Sequence, residues 1–590
     1  MTFTLDDEEL INALSRSKAT TLATNNRIDE AEKTTMEINT IREGYRVVAA
    51  RGSIIFFVVA SLALVDPMYQ FSLQAFKELV IQRLKKAEKK DLLADRLNVL
   101  VNDLTKSLFT NICRGLFEKD KLLYSFMVAA KISLSAEIVS ESDWLCFIIG
   151  TVPASTIGEN CPLPDALKLL GVAEKHWTSA VMLEHSLPVA FNGLINHMMT
   201  PENGPEWARF FTSDSPHTEK LPGDWEQSLR SFDRLLLVRI TREEKVVFAI
   251  KKYIIDTLGE FFIEDLLFDL ERSYEDSTAV TPLIFILSSG SDPIETILQL
   301  AEKKGQSGKG LKIISLGQGQ GIIAERIIQQ AHLSGDWVCL QNCHLAVSWL
   351  DKLEQIVEKM QSEPGTVNSN HRLWLTSMPS CHFPVPILQN GIKMTNEPPS
   401  GIKSNLMRTF QSITEEEYEN CSKKEIFKKL LFTTAFFNAL ILERRKFGAV
   451  GWNIPYDWMN SDLKTAVTQV RMYLDQQDLV PWETLNVSVG DIAYGGRVTD
   501  IIDKRTITTI LRKYFTPSLL EDSFTFTEDG IYYAPLPSSL HAVREYIRQL
   551  PSDDCPDVFG LHPNAAISFQ QKESKSFIAA GEECSSYLST

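Results

Sequence analysis

The 590-residue sequence lacks several features that identify a protein class at once. It has no uninterrupted apolar run of about 20 residues, the length that a membrane-spanning helix needs. The longest run, Ser53 to Val65, has 13 residues. Residues 1–9 are acidic and mixed, unlike a secretory signal. We therefore expect no membrane contact, and the 13-residue run predicts a buried helix or strand.

Regularly spaced cysteines and excess positive charge are also missing. The nine cysteines are odd in number and scattered, and a chain of this size needs no disulfide staples. The net charge is −16, whereas nucleic-acid binders usually present a basic face. Hydrophobic residues make up 44% of the chain, which excludes wholesale disorder. These balances predict an acidic globular protein of a reducing, intracellular compartment that does not bind nucleic acid.

Residues 5–50 show a helical pattern with few large apolar side chains. Two heptad rows form a weak coiled-coil seam, flanked by charges such as Asp29 and Lys33. One row is Leu14, Thr21, Ile28, Thr35 and Arg42, and the other is Leu10, Ser17, Thr24, Ala31, Ile38 and Tyr45. A solvated amphipathic helix explains the periodicity equally well. Either helix needs a packing partner to be stable in water.

Helical periodicity continues densely through residues 51–150, with one apolar stripe formed by Leu97, Leu100, Leu104 and Leu108. A second stripe is Phe71, Phe76, Leu79 and Val80. From Thr151 to about Pro222, repeated prolines indicate an irregular connection with short helices. Helical patterning resumes at Trp225.

Residues 281–377 alternate apolar strands with loops and helices. The predicted strands are Leu283–Leu287, Leu311–Leu316, Trp337–Leu340 and Leu373–Thr376. The predicted helices open at Pro293 behind the N-cap Asp292, after Gly321 with Ile323, Ile327 and Ala331 on one face, and around Trp349–Met360. Three strand–loop–helix repeats with continuous apolar strands indicate a parallel sheet covered on both faces.

A further helix is predicted from Glu425, with Ile426, Leu430, Phe437, Leu440 and Ile441 as its apolar stripe. The cations Arg444–Lys446 precede Gly448, and this order is a normal helix stop signal. A phosphate or nucleic-acid site is the competing interpretation of the same cluster.

The glycine-rich turns after the strands raise a nucleotide hypothesis, because helix N-termini bind phosphate. A P-loop requires a lysine in the first loop, but Ser288–Asp292 has none. Gly308–Gly310 contains a Gly-Lys pair but precedes a strand. The glycines of Gly317–Gly321 fail the dinucleotide spacing, since Ile322 stands where glycine is needed.

The ligands that magnesium or zinc would need are also missing. The strand Trp337–Leu340 ends in Gln341 and Asn342, which cannot replace the carboxylates that hold magnesium. Cys339, Cys343 and His344 lack a second ligand pair, so a buried structural role is favoured over zinc. We assign no catalytic, cofactor-binding or metal-ligating residue to this chain.

Longer strings carry a family resemblance. The segments Pro282–Ser288, Ile314–Gly321, Leu340–Leu345 and Arg372–Ser380 resemble the sixth AAA+ module of dynein heavy chains. The match continues through Leu388–Pro399, Glu443–Gly448, Gly451–Tyr456 and Tyr494–Asp500. Upstream, Asp66–Leu73 resembles the helical part of the fifth module. The forms Leu340–Leu345 and Met394–Pro399 are similar to the axonemal (ciliary) branch.

The resemblance implies an α/β plus all-α fold. Its expected parts are a coiled-coil hairpin arm (1–50), the helical lid of the fifth module and a connection (51–230), the α/β part of the sixth module (231–404), its helical lid (405–550) and a truncated start of the C-terminal domain (551–590). Phe559–Ala565 still resembles dynein, whereas Ala579–Thr590 resembles nothing that we can place. The chain is expected to be a short isoform or a partial product.

The resemblance also implies function: a non-catalytic ring portion of an ATP-driven, minus-end-directed microtubule motor that powers ciliary beating. The expected partners are the other AAA+ modules, the stalk, and the dynein intermediate and light chains, with microtubules contacted only through the stalk tip. ATP and magnesium are expected for the full motor and none for this chain. The expected location is the cytoplasm, cytoskeleton and ciliary axoneme.

Two other functions remain open. One is an unconventional nucleotide-binding or hydrolysing module that uses Gly317–Gly321 as its phosphate cradle. The other is a regulatory or inhibitory fragment that pairs with intact motor subunits.

Overall fold

The computed structural model describes residues 8–90, 92–151, 162–264, 269–288, 291–306, 308–317, 319–536, 538–551, 554 and 556–585. The chain divides into two compact units. The first is Met1–Phe57 with Leu73–Phe109, and the second is Val58–Ser72 with Thr110–Thr590. The second unit contains the sheet and most of the helices.

Long helices make up the first unit. They are α1 (Glu8–Gly44), the start of α2 (Arg46–Ser61), α3 (Leu73–Lys86) and most of α4 (Leu93–Cys113). The helical pattern predicted near the N-terminus is confirmed, and Leu14 and Ile28 of its heptad seam are exposed. On α4 the predicted stripe is buried at Leu100, Leu104 and Leu108.

One helical stretch, Leu14–Leu64, is apolar and long enough to cross a membrane by length and composition alone. It includes all but the last residue of the run from Ser53 to Val65, which the sequence predicted to be a buried helix or strand. Val58, Val59 and Leu62 have no solvent exposure in the structure. Buried core helices pass the same test, so the finding is weak evidence for a membrane span.

The second unit continues with helices that lead to the sheet. They are α5 (Glu118–Ser135), α6 (Glu141–Ile149), α7 (Asp165–Leu169), α8 (Glu174–Ser186), α9 (Pro188–Phe191), α10 (Leu194–Met199), α11 (Gly204–Thr212), α12 (Trp225–Ser228), α13 (Ser231–Thr241), α14 (Val246–Leu258) and α15 (Leu270–Glu275). The predicted connection of short helices is confirmed where it is described, and residues 152–161 lie outside the described part. Ser140 and Asp143 form a capping box that starts α6.

Five parallel strands form the sheet in the order β2-β3-β4-β1-β5. They are β1 (Leu283–Ile286), β2 (Leu311–Ser315), β3 (Trp337–Gln341), β4 (Arg372–Ser377) and β5 (Ile392–Thr395). Helices α16 (Ile294–Lys303), α17 (Gly321–Ser334), α18 (Val347–Ser362) and α19 (Val385–Asn390) alternate with them. The four predicted strands and their parallel pairing are confirmed, whereas β5 was not predicted.

The apolar face predicted for α17, which is Ile323, Ile327 and Ala331, differs from the face that the structure buries. Ile323 is 46% exposed. The buried residues are Ala324, Ile328 and Ala331. Ala331 belongs to both the predicted and the buried face. The buried face is otherwise shifted by one residue, because the small Ala324 rather than Ile323 packs toward the sheet.

An all-helical region follows the sheet and has its own core. It contains α20 (Ile402–Ser412), α21 (Glu415–Glu419), α22 (Lys424–Arg444), α23 (Asn460–Gln476), α24 (Trp482–Asn486), a π-helical turn (Val487–Tyr494), α25 (Ile501–Tyr514) and α26 (Leu540–Gln549). The predicted helix from Glu425 is α22, which lies at the centre of this core. Phe436 stacks on Phe526 with ring centroids 4.6 Å apart. Aromatic burial of this kind is a large stabilising contribution.

The last described helix, α27 (Pro563–Ser585), runs between two parts of the second unit. Near its start, Phe569 lies 5.3 Å from Phe447 of the helical region. Further along, Phe577 lies 5.7 Å from Phe126 of α5. The Trp144 indole N–H donates to the Ser585 hydroxyl at 3.0 Å. Residues 579–585, which resembled nothing in the sequence analysis, therefore belong to a packed helix.

Candidate functional site

The carboxyl ends of the strands are where open α/β sheets bind ligands, so this edge is the first candidate site. Five loops leave it, one after each strand, and in the loop after β5 the Glu397 carboxylate accepts from the Glu118 N–H at 2.9 Å. Residues 289–290 and 318 in these loops lie outside the described part. Among the described residues of the five loops, Asp292 and Glu397 are the acidic side chains. The edge is thus built almost entirely from neutral groups.

The loop after β1 is tied to its surroundings by two hydrogen bonds. The Asp292 carboxylate accepts from the Ile294 N–H at 3.0 Å, which starts α16. The Ser291 hydroxyl donates to the Asn396 carbonyl at 2.8 Å. The sequence predicted Asp292 as the N-cap and Pro293 as the first helical residue, but the N-cap is Pro293 and the helix begins one residue later, at Ile294. The Asp292 carboxylate is engaged with the backbone at this helix start.

The ends of β3 and β4 are joined to each other. Asn342 has a φ of +56°, and its N–H donates to the Thr376 hydroxyl at 3.1 Å. His344 accepts from the Met378 N–H through Nδ1 at 3.1 Å. Burial lowers the pKa of His344, which favours the neutral ring. These groups can accept or donate hydrogen bonds but cannot supply the negative charge that magnesium needs.

At one position of the glycine run after β2, close packing explains why the residue is glycine. A Cβ on Gly321 would lie 2.5 Å from Trp349 Cδ1, so glycine is needed where α17 meets α18. Gly319 has a φ of +78°, which only glycine adopts readily. Close packing and turn geometry therefore account for two of the three glycines without a ligand.

The cysteines singled out by the sequence lie in the protein core. Cys339 and Cys343 have no exposure, and burial raises the pKa of each thiol to about 12. Cys343 donates to the Leu340 carbonyl at 3.5 Å, while His344 bonds Met378. No cluster of three or more metal-ligating side chains occurs among the residues that the structure describes.

The basic cluster at the end of α22 makes internal bonds. Arg444 is buried and donates to the carbonyls of Gly451, at 3.0 Å, and Phe559. Arg445 pairs with Asp457 at 2.8 Å, and Lys446 pairs with Glu443 at 3.1 Å. Helix α22 does end at Arg444, but Gly448 lies inside the 3₁₀ turn that follows. The cluster fastens this turn to the helical core.

A second polar constellation lies at β5, where the sequence predicted neither a strand nor a site. We call it the β5 junction: Gln70, Phe71, Arg114–Leu116, Lys393 and Thr395. The Thr395 N–H donates to the Arg114 carbonyl at 2.8 Å, and its hydroxyl donates to the Leu116 carbonyl at 2.9 Å. Residues 114–116 thus cover the outer edge of β5 with backbone and side-chain hydrogen bonds.

Lys393 lies at the centre of the β5 junction. It is 4% exposed, and its Nζ donates to the carbonyls of Gln70 and Leu388, each at 2.6 Å. The Nζ also lies 3.7 Å from the centroid of the Phe71 ring. Burial, with a contribution from the charge of Arg114, lowers the pKa of Lys393 to about 7.

Close packing and further polar contacts surround this lysine. A Cβ on Gly115 would lie 2.9 Å from Lys393 Cβ. Arg114 pairs with Asp276 at 2.9 Å, and the Glu118 N–H donates to the Glu397 carboxylate at 2.9 Å. Segment 110–118 is therefore fixed to the sheet at several points. A lysine between Ile392 and Met394 in a short strand is the signal that sequence analysis could have used.

A five-stranded parallel sheet with helices between its strands, followed by an all-helical core, defines an AAA+ α/β module with its helical lid. Sequence comparison gives the same two parts. The model described as dynein heavy chain region D6 P-loop domain matches residues 278–395. The model described as dynein heavy chain AAA lid domain matches residues 427–565.

Curated relatives extend the match to nearly the whole chain. The chain is 40% identical to human dynein axonemal heavy chain 6 over 97% of its length, and 39% identical to human dynein axonemal heavy chain 3 over 96%. It is 36% identical to the dynein-1-beta heavy chain of the flagellar inner arm I1 complex of Chlamydomonas reinhardtii over 97%. The chain belongs to the dynein heavy chain family and corresponds to the C-terminal portion of the motor region. It spans 12–14% of the length of these relatives.

Proposed function

We propose that this chain is a non-catalytic ring portion of an axonemal dynein heavy chain, within an ATP-driven, minus-end-directed microtubule motor that powers ciliary beating. The observation that carries the proposal is an intact sheet whose ligand-binding edge holds neutral groups bonded to one another. Asn342 bonds Thr376 there, and His344 bonds Met378. The acidic side chains of the described loops are engaged with backbone N–H groups, Asp292 with that of Ile294 and Glu397 with that of Glu118.

A mechanical role needs a firm connection between the sheet and its neighbours. The β5 junction supplies one, because Lys393 and Thr395 bond the segments around Gln70 and Arg114 directly to the sheet. Strain arriving through α5 would then reach the sheet without loss in a flexible linker. Packed elements of this kind move as rigid bodies in conformational switches.

The N-terminal helix fits one arm of the coiled-coil hairpin that braces the stalk. Helix α1 continues unbroken from Glu8 to Gly44, and the apolar residues Leu14, Leu22 and Ile28 are exposed along it. Exposed apolar residues on a long helix fit a partner helix supplied by the rest of the heavy chain. Helices α2–α12 would supply the lid of the fifth module and its connection, and α27 the start of the C-terminal domain.

The proposed partners are the other AAA+ modules and the stalk of a dynein heavy chain, with the intermediate and light chains of the complex. Microtubules would be contacted through the stalk tip, in the axoneme of a cilium. ATP and magnesium would act in other modules of the motor. This chain contributes structure and coupling rather than bond cleavage.

Calorimetric titration of the purified chain with ATP and magnesium tests the proposal. We expect no saturable heat at millimolar nucleotide and no phosphate release. Saturable binding with turnover would overturn it and favour the nucleotide module. In that case Gly319→Ala, which places a side chain at positive φ, should weaken binding through the glycine run, with Gly365→Ala as the control in open space.

A further inference from the structure

Strand β2 forms an edge of the sheet and pairs with β3 alone among the described strands. The Leu316 N–H donates to the Gln341 carbonyl at 2.9 Å, so the even-numbered residues of this segment direct their backbone groups to β3. Backbone groups alternate in direction along a strand. The N–H groups of Leu311, Ile313 and Ser315 therefore point away from the sheet.

Those outward groups have no backbone partner among the described residues, although Ser315 accepts locally from the Gly317 N–H at 2.9 Å. Natural edge strands are usually protected by proline, a bulge or a free charge. Strand β2 has no proline, and its one charged residue, Lys312, pairs with Asp336 at 2.9 Å. Ile313 is 39% exposed. The edge is thus open to a further strand.

A groove lies beside this edge, between α16 and the start of β2. Its volume is about 500 Å³, and it is lined by Glu295, Leu298, Gln299, Ala301, Glu302, Gly308 and Leu311. Leu298 is 48% exposed and gives the groove an apolar floor. Glu295 pairs with Lys464, whereas the Glu302 carboxylate has no ion pair within the described residues. The groove therefore combines an apolar surface with an available negative charge.

We propose that the β2 edge and this groove bind an extended segment of another polypeptide, which adds a strand to the sheet. Residues of that segment that face α16 would be apolar over Leu298 and Ile313, and basic where they reach Glu302. Backbone hydrogen bonds provide the affinity of such strand addition, and side chains on one face provide the specificity. The occupant is a peptide of mixed apolar and basic character rather than a nucleotide or a helix.

The probe is a capped seven-residue peptide, Lys-Thr-Val-Thr-Val-Thr-Lys, which places lysines and valines on one face. Two further peptides carry N-methyl groups on all valines or on all threonines, and have the same charge as the parent. In a strand, only one of these two sets of N–H groups can face β2. We expect one N-methylated peptide to bind the full chain about tenfold more weakly than the other by fluorescence anisotropy.

A charge reversal in the groove provides a second test. Glu302→Lys should weaken binding of the parent peptide several-fold, while Glu358→Lys, an exposed change on α18 with the same effect on net charge, should not. Equal affinities of the two N-methylated peptides, or no binding at millimolar peptide, would overturn the proposal. Self-association of the chain through β2, detected by sedimentation and abolished by Ile313→Lys, would overturn it in favour of a second copy.

Discussion

The two edges of the sheet are treated in opposite ways. At β5, the Thr395 N–H reaches the Arg114 carbonyl, and Lys393 is buried between two further carbonyls and an aromatic ring. At β2, Ile313 is partly exposed, and its outward N–H meets no described residue. Under the two proposals above, the covered edge would transmit force and the open edge would bind a further strand. The comparison shows that one edge of the sheet is held by its own chain, whereas the other pairs with β3 alone among the described strands.

The largest expected effect comes from Lys393→Ala. It removes two hydrogen bonds and a ring contact and leaves the Gln70 and Leu388 carbonyls without this donor, so we expect the free energy of unfolding to fall by about 3 kcal/mol. Urea-induced unfolding measures the loss. Lys359→Ala, on the exposed surface of α18, should change stability by less than about 0.5 kcal/mol. Equal effects of the two substitutions would remove the distinction between the junction and the surface.

Gly115→Ala should cost about 2 kcal/mol, since the new Cβ would lie 2.9 Å from Lys393 Cβ and force residues 114–116 off the sheet edge. Gly365→Ala, which meets nothing within 4 Å, is the matched control and should be nearly neutral. Thermal unfolding of both variants provides the comparison. A neutral Gly115→Ala would mean that the segment is not held closely against β5.

The free energy of unfolding should depend on pH because the pKa of Lys393 is lowered in the folded protein. Its pKa in the folded protein, about 7, lies below the ordinary lysine value of 10.5, so between these pH values the unfolded chain binds the extra proton. Stability due to this group therefore rises as pH increases through 7. The difference in unfolding free energy between the parent chain and Lys393→Ala should grow by about 1 kcal/mol between pH 7 and about pH 8. A difference that does not change with pH would contradict the burial of an ammonium group.

The smallest effect compares one hydroxyl at each edge. Thr395→Val removes the hydrogen bond to the Leu116 carbonyl with little change of shape, and we expect a loss of about 1 kcal/mol. Ser315→Ala, on exposed β2, should cost less than about 0.5 kcal/mol. Chemical denaturation of the two variants measures the loss of unfolding free energy at each edge. A larger loss for Ser315→Ala than for Thr395→Val would contradict the conclusion that β5 is the covered edge and β2 the open one.

Apolar continuity made most of the sheet predictable. Strands β1 and β4 are buried at every position; β1 reads as an unbroken apolar run, and β4 contains the apolar run Leu373–Leu375. Strand β5 was missed because Lys393 and Thr395 interrupt a four-residue segment, and their burial depends on partners that lie about 280 to 320 residues earlier in the sequence. The buried face of α17 differs from the predicted apolar face because periodicity weighs isoleucine above alanine, whereas close approach to the sheet favours Ala324.

The sequence was sufficient to predict that the candidate site lacks the groups of a nucleotide hydrolase. The residue types show this directly: Ser288–Asp292 contains no lysine, and Gln341–Asn342 contains no carboxylate. The bonds that replace them were not visible, since Asn342 meets Thr376 only once β3 and β4 lie side by side. Long-range pairing of this kind depends on topology, which local patterns do not encode.

Backbone hydrogen exchange at the two edges tests the central claim most directly. We predict that the Thr395 amide, bonded to Arg114, exchanges far more slowly than the outward amide of Ile313, and that Lys393→Ala removes this protection while amides of β3 keep theirs. Similar exchange rates for Thr395 and Ile313 in the parent chain would contradict the account, because the β5 edge would then be as open as the β2 edge.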